Sequence, residues 1–209
     1  MKQTYFSRAS ILLLLLAIFA FSDNLFYDPG QPSNSDPKFV IHGLFFLAWY
    51  IFLVIQTNFI RKGDFSAHRN WGLWGMGIGV GVILSTFYVF YAIYEGWEAM
   101  DGGVRANRIF TVSFAGMLIW AYVKRKNTAL HKRLIFIGTL YVLGPIIGRV
   151  CGKLGGDSDL SYFLFEAVIW NGFFISLMYY DWKVLGKLHP ATWVGFLWFY
   201  GVWVYSWLI

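Results

Sequence analysis

Apolar residues fall into six long stretches separated by short polar turns: 39–60, 71–94, 104–123, 134–150, 160–180 and 193–209. A bilayer core needs about 20 predominantly apolar residues per helix, and each stretch meets or approaches that length. None alternates apolar and polar residues as barrel strands do, so each reads as a helix. A seventh helix over 9–26 is weaker, because its purely apolar run stops at Phe21. Lys2 and Arg8 precede that run, and Ala20-Phe21-Ser22-Asp23 ends it with the small residues of a signal-peptidase site. These residues describe either a retained first helix or a secretory signal. The expected fold is an all-α, polytopic membrane bundle of seven transmembrane helices, or six if the first is removed.

The charges orient that bundle. With the N-terminus inside, twelve basic residues lie on the inner side: Lys2, Arg8, Arg61, Lys62, Arg69, Lys124, Arg125, Lys126, Lys132, Arg133, Lys183 and Lys187. Lys38, Arg105, Arg108, Arg149 and Lys153 lie outside. An excess of Lys and Arg in short loops marks the inner face, which puts the N-terminus inside and the C-terminus outside. Only two acids, Asp64 and Asp181, fall inside.

Composition narrows the class. The 209 residues are 58% hydrophobic and 13% charged, against about 25% charged in a soluble domain. In a soluble protein the net charge of +6 would invite a nucleic-acid reading; here it encodes orientation, and no nucleic-acid partner is expected. Cys151 is the only cysteine, so neither an intramolecular disulfide nor a multi-cysteine metal site can form. The longest loop, 22–38, contains Pro29, Gly30, Pro32 and Pro37, too little for a second domain. Residues 1–209 read as a single integral membrane domain.

Two sets of residues are candidates for chemistry. His68, His131 and His189 each follow a basic inner turn, at the starts of alternate helices that run the same way. Two neutral imidazoles facing each other across a bundle would ligate haem b, with Arg69, Lys132 and Arg133 near the propionates. Three could hold zinc. The plainer reading is a row of interfacial residues beside anionic lipid headgroups, each basic residue contributing roughly 1 kcal/mol.

The second set lies toward the outer side. Glu166 stands inside the sixth of the seven expected helices, over 160–180, where an ionisable group is costly and points to function. His42, Tyr88, Tyr91, Glu95, Arg108 and Arg149 enter from the same side. Tyr88, Tyr91 and Glu95 share one helical face, as do Tyr162, Glu166 and Trp170. His42, Tyr88, Tyr91, Glu95, Arg108, Arg149 and Glu166 could line an outward-facing pocket for a small anionic or quinone-like molecule. The plainer reading is a Glu166–Arg149 pair that fixes helix packing.

Glycines at 72, 75, 77, 79 and 81 lie within an apolar span without a preceding strand, so they do not form a nucleotide loop. Their four-residue spacings suit close helix packing, or the seam of a homo-oligomer. Gly144-Pro145 is expected to kink its helix. No helix interior carries the lysine a retinal protein needs, and no hydrolase or metalloprotease motif is present.

His42-Gly43, the turn Leu130-His131-Lys132-Arg133-Leu134, Gly144-Pro145 with Arg149, and Asp181 followed by Leu188-His189-Pro190-Ala191 together resemble a family of small seven-helix bacterial inner-membrane proteins with no established activity. A looser similarity is to cytochromes of the b561 kind. The resemblance implies a multi-pass protein of the bacterial inner membrane. Three functions follow as expectations: a non-catalytic bundle binding a lipid or small molecule, a haem redox protein, or a small proton-coupled transporter.

Overall fold

Polar residues in the turns start the helices, several residues before the apolar stretches begin. The computed structural model describes residues 4–208, and no strand occurs among them. Lys2 lies outside the described residues. Helix α1 (Tyr5–Ala20) is followed by a π-turn over Asp23–Tyr27 and by the short α2 (Pro32–Ser35). Helix α3 (Pro37–Lys62) starts at Asp36, whose carboxylate accepts the Lys38 amide. In α4 (Phe65–Ala92) the cap is Asp64, and in α5 (Gly102–Val123) it is Asp101. Asn127 caps α6 (Thr128–Tyr141), which leads into α7 (Gly144–Lys153). Ser158 and Ser161 cap each other's amides at the start of α8 (Asp159–Leu185), and α9 is Pro190–Leu208. Such caps satisfy amides that have no partner within the helix. Gly63 and Gly186, at φ 79° and 68°, end α3 and α8 in the left-handed conformation that glycine adopts most easily.

Helices α3, α4, α5 and α8 are long and apolar enough to cross a membrane. Helices α6 and α7 together form a fifth candidate, bent by 50° at the break between them. Pro145 has no amide hydrogen to continue the ladder. Beside the break, the Trp170 indole donates to the Leu140 carbonyl at 2.8 Å, and the Tyr141 hydroxyl donates to the Gly195 carbonyl at 2.9 Å. A neighbouring helix thus supplies a donor to the last turn of α6, and α6 supplies one to α9, so these polar groups beside the break are paired. The expected kink is present. The remaining apolar helices, α1 and α9, have 16 and 19 residues.

The first helix differs from the expected 9–26. It begins at Tyr5 and ends at Ala20. Beyond it the Asn24 amide donates to the side chains of Gln31, Ser33 and Asn34, and Asn34 returns a bond to the Asn24 carbonyl. This local network competes with continued helix and folds the segment onto itself.

Helix packing gathers the chain into two compact units, divided after Ile93. In the N-terminal unit, α3 packs against both α4 and α1. Phe52 and Phe45 occupy the space over Gly75 and Gly81, where added β-carbons would lie 2.3 Å and 2.2 Å from the rings. Ser10 and Thr57 join α1 to α3 by a 2.8 Å hydroxyl contact. Gly72 and Gly77 face open space.

In the C-terminal unit, α5 packs on α6 and α9, and α7 on α8. Its core is aromatic. Phe110 stacks on Phe199 at 5.1 Å and on Tyr141 at 5.4 Å, while Trp170 lies 4.7 Å from Phe199. Each such pair contributes about 0.5–1.5 kcal/mol beyond area burial.

Candidate functional site

The strongest polar constellation was not among the expected sites. Arg133, in the second turn of α6, and Asp181, near the end of α8, form an ion pair with both side chains fully buried. Arg133 Nε donates to Asp181 Oδ1 at 2.9 Å, and its Nη2 bonds the same oxygen. Asp181 Oδ2 accepts from the His189 amide at 3.0 Å and from the Thr192 hydroxyl at 2.6 Å. Arg133 Nη1 donates to the Ala129 carbonyl. One carboxylate therefore ties α6, α8 and the start of α9 together. Lys132 extends the cluster by donating to the Tyr180 hydroxyl at 2.7 Å. A buried charge is tolerated only when paired and hydrogen-bonded, and here each carboxylate oxygen has two donors. The pair acts as a clasp between helix ends.

The three histidines are distributed between the units. His68 lies in the first turn of α4, in the N-terminal unit. In the C-terminal unit, His131 Nδ1 donates to the Ala121 carbonyl at 2.9 Å. His189 is arranged differently: its Nδ1 accepts the Ala191 amide at 3.1 Å. That puts the proton of the neutral ring on Nε2, so His189 serves as a local cap and does not fit an axial haem ligand in this tautomer. Burial, followed by the charge of Arg133, holds its pKa below the ordinary 6.5, while Asp181 pulls it upward. Among the described residues no group of three His, Cys, Asp or Glu side chains could hold a metal ion.

The residues expected to line the outer pocket are also divided. His42, Tyr88 and Tyr91 belong to the N-terminal unit. The His42 ring lies 4.6 Å from Phe46, and its Nδ1 is 3.4 Å from the Ser85 hydroxyl. Tyr88 and Tyr91 are 51% and 84% exposed, so neither is drawn into its helix pair. Glu95, Arg108, Arg149 and Glu166 belong to the C-terminal unit. Arg108 sits over the Tyr94 ring at 5.4 Å and directs Nε to the Met100 sulfur. Glu95 and Arg149 are exposed.

Glu166 is half-buried and has no hydrogen bond or ion pair among the described residues, so the Glu166–Arg149 pair is not formed. Its place on α8 is informative. Tyr162 lies 3.0 Å from a β-carbon built on Gly152, and Trp170 lies 3.4 Å from one built on Gly144. Glu166 is midway between these contacts on the same face of α8. The register sets it opposite Gly148 of α7, where an added β-carbon would meet nothing within 4 Å. A carboxyl group without a counter-charge thus stands at the level of an uncontacted position on α7, one turn from the helix break.

No family model matches this chain, and no match is found among curated proteins or solved structures.

Proposed function

We propose that this is a seven-span protein of the bacterial inner membrane, with its N-terminus inside and C-terminus outside, that binds a small molecule or lipid and catalyses no reaction of its own. The observation carrying this reading is Glu166, without a counter-charge and opposite the open position at Gly148. An ionisable group at membrane depth is costly unless it has a role. A ligand bringing a hydrogen-bond donor or a positive charge would complete its bonding, with the Trp170 and Tyr162 rings on either side.

The test is to purify the protein in mild detergent and identify its small-molecule contents by mass spectrometry. The wild type is expected to retain one compound near one per chain. Gly148→Leu should lose it and Glu166→Gln should hold it more weakly. Equal contents in wild type and Gly148→Leu would end this reading. A Soret band in the same wild-type sample would replace it with the haem reading.

The 50° break between α6 and α7 favours a second reading, transport, because interrupted spans form substrate sites in carriers. Substrate-dependent proton movement in vesicles, abolished by Glu166→Gln, would select it.

A further inference from the structure

Helices α1 and α3 enclose a cleft of about 360 Å³ where the first turns of α1 meet the last turns of α3. Arg8 and Arg61 stand at it together with Asn58, while Ile11, Val54 and Ile55 form its apolar wall. Among the described residues, none that lines it is acidic. Arg61 Nε and Nη2 donate to Asn58 Oδ1 at 3.2 and 2.8 Å, which fixes that guanidinium and leaves Nη1 for another acceptor. The Arg8 guanidinium has no hydrogen bond or ion pair among the described residues.

Two guanidinium groups in one cleft repel each other unless an anion lies between them. Guanidinium groups suit phosphate oxygens because they offer several donors in a fixed fork. The apolar wall decides which phosphate. Ile11 and Ile55 are 44% and 41% exposed, a surface that an acyl chain would cover and a free anion would leave bare. We infer that this cleft binds one anionic glycerophospholipid, its phosphate between Arg8 and Arg61 and an acyl chain along Ile11, Val54 and Ile55. In the orientation proposed above, the lipid belongs to the inner leaflet. The site lies wholly within the N-terminal unit and is independent of Glu166.

The full chain in detergent is titrated with palmitoyl-oleoyl phosphatidylglycerol, the corresponding phosphatidylcholine, and glycerol 3-phosphate, and adducts are counted by native mass spectrometry. One phosphatidylglycerol per chain should survive at activation energies that strip phosphatidylcholine. Arg8→Gln/Arg61→Gln should weaken phosphatidylglycerol binding about thirtyfold, from the contribution of two basic residues near a charged lipid. Ile11→Trp, which narrows the cleft without touching its charge, should also reduce it. Lys124→Gln/Lys126→Gln, in an exposed turn of the other unit, should leave it unchanged. Equal binding of the two lipids would overturn the proposal. So would glycerol 3-phosphate binding as tightly as the lipid, equal losses in both double variants, or an intact mass showing that the mature chain lacks α1.

Discussion

The two units share one hydropathic pattern but satisfy their polar groups differently. In the C-terminal unit the buried donors and acceptors close on one another. Arg133 meets Asp181, Trp170 meets the Leu140 carbonyl, and Tyr141 meets the Gly195 carbonyl. In the N-terminal unit the Tyr50 hydroxyl and both ends of the Gln56 amide are buried without a hydrogen-bond partner among the described residues. Contact between α3 and α4 comes from phenylalanine rings set over Gly75 and Gly81, with the Ser10–Thr57 hydroxyl pair joining α1 to α3. Polar closure fixes helix ends in particular places, because a displaced donor leaves a costly orphan behind. Ring-over-glycine packing has no such directional requirement. The C-terminal unit is accordingly the more rigidly specified, and the N-terminal unit is the one with polar capacity to spare.

The largest effect should come from opening the clasp. Asp181→Ala leaves a fully buried guanidinium unpaired and is expected to cost about 3–5 kcal/mol, read as reduced thermal stability in detergent. Arg133→Met/Asp181→Leu should be less damaging than either single change; a double variant as unstable as Asp181→Ala would show that the pair is not the cause. Next, Trp170→Phe removes the donor to the Leu140 carbonyl and should cost about 1–3 kcal/mol.

In the other unit, Gly81→Leu must displace Phe45 and should cost about 1–3 kcal/mol. Gly77→Leu, facing open space, should be nearly neutral, and equal losses would break the packing account. A matched pair then tests polar closure directly. Tyr141→Phe should cost about 1 kcal/mol, whereas Tyr50→Phe should cost nothing or stabilise, because its hydroxyl has no partner to lose.

The smallest effect concerns His189. Its pKa lies below 6.5 in the folded chain, chiefly through burial and then through Arg133. The unfolded chain therefore takes up the proton first. This contribution is complete above about pH 6.5 and drains away as the pH falls below it. Melting temperature measured from pH 7.5 to 5.5 should decline slightly more for the wild type than for His189→Asn.

Much of the helix order is legible in the periodicity. The stretches 39–60, 104–123 and 160–180 lie within α3, α5 and α8, and Gly144-Pro145 marks the break. The discrepancies cluster where polar chemistry overrides hydropathy. Asp64 and Asn127 begin α4 and α6 early, which draws His68 and His131 inside helices. Hydropathy and charge place the outer candidate residues on one side but say nothing of which helices pack together, and the structure divides them between the two units. Arg133 and Asp181 are 48 positions apart, and no local pattern joins them. The available signal was that Asp181 is one of only two acids among the inner basic turns. Glu166 was identifiable from its charge within an apolar run, but the open position at Gly148 depends on the register of α7 against α8.

The clasp also imposes an order on biosynthesis. Arg133 emerges from the ribosome 48 residues before Asp181, and the His189 and Thr192 groups that complete the carboxylate's bonding emerge later still. Until then α6 carries a guanidinium whose counter-ion has not yet been made, so it must stay solvated. The last helical hairpin therefore does more than add a span. Its arrival allows the arginine to be buried and completes the C-terminal unit.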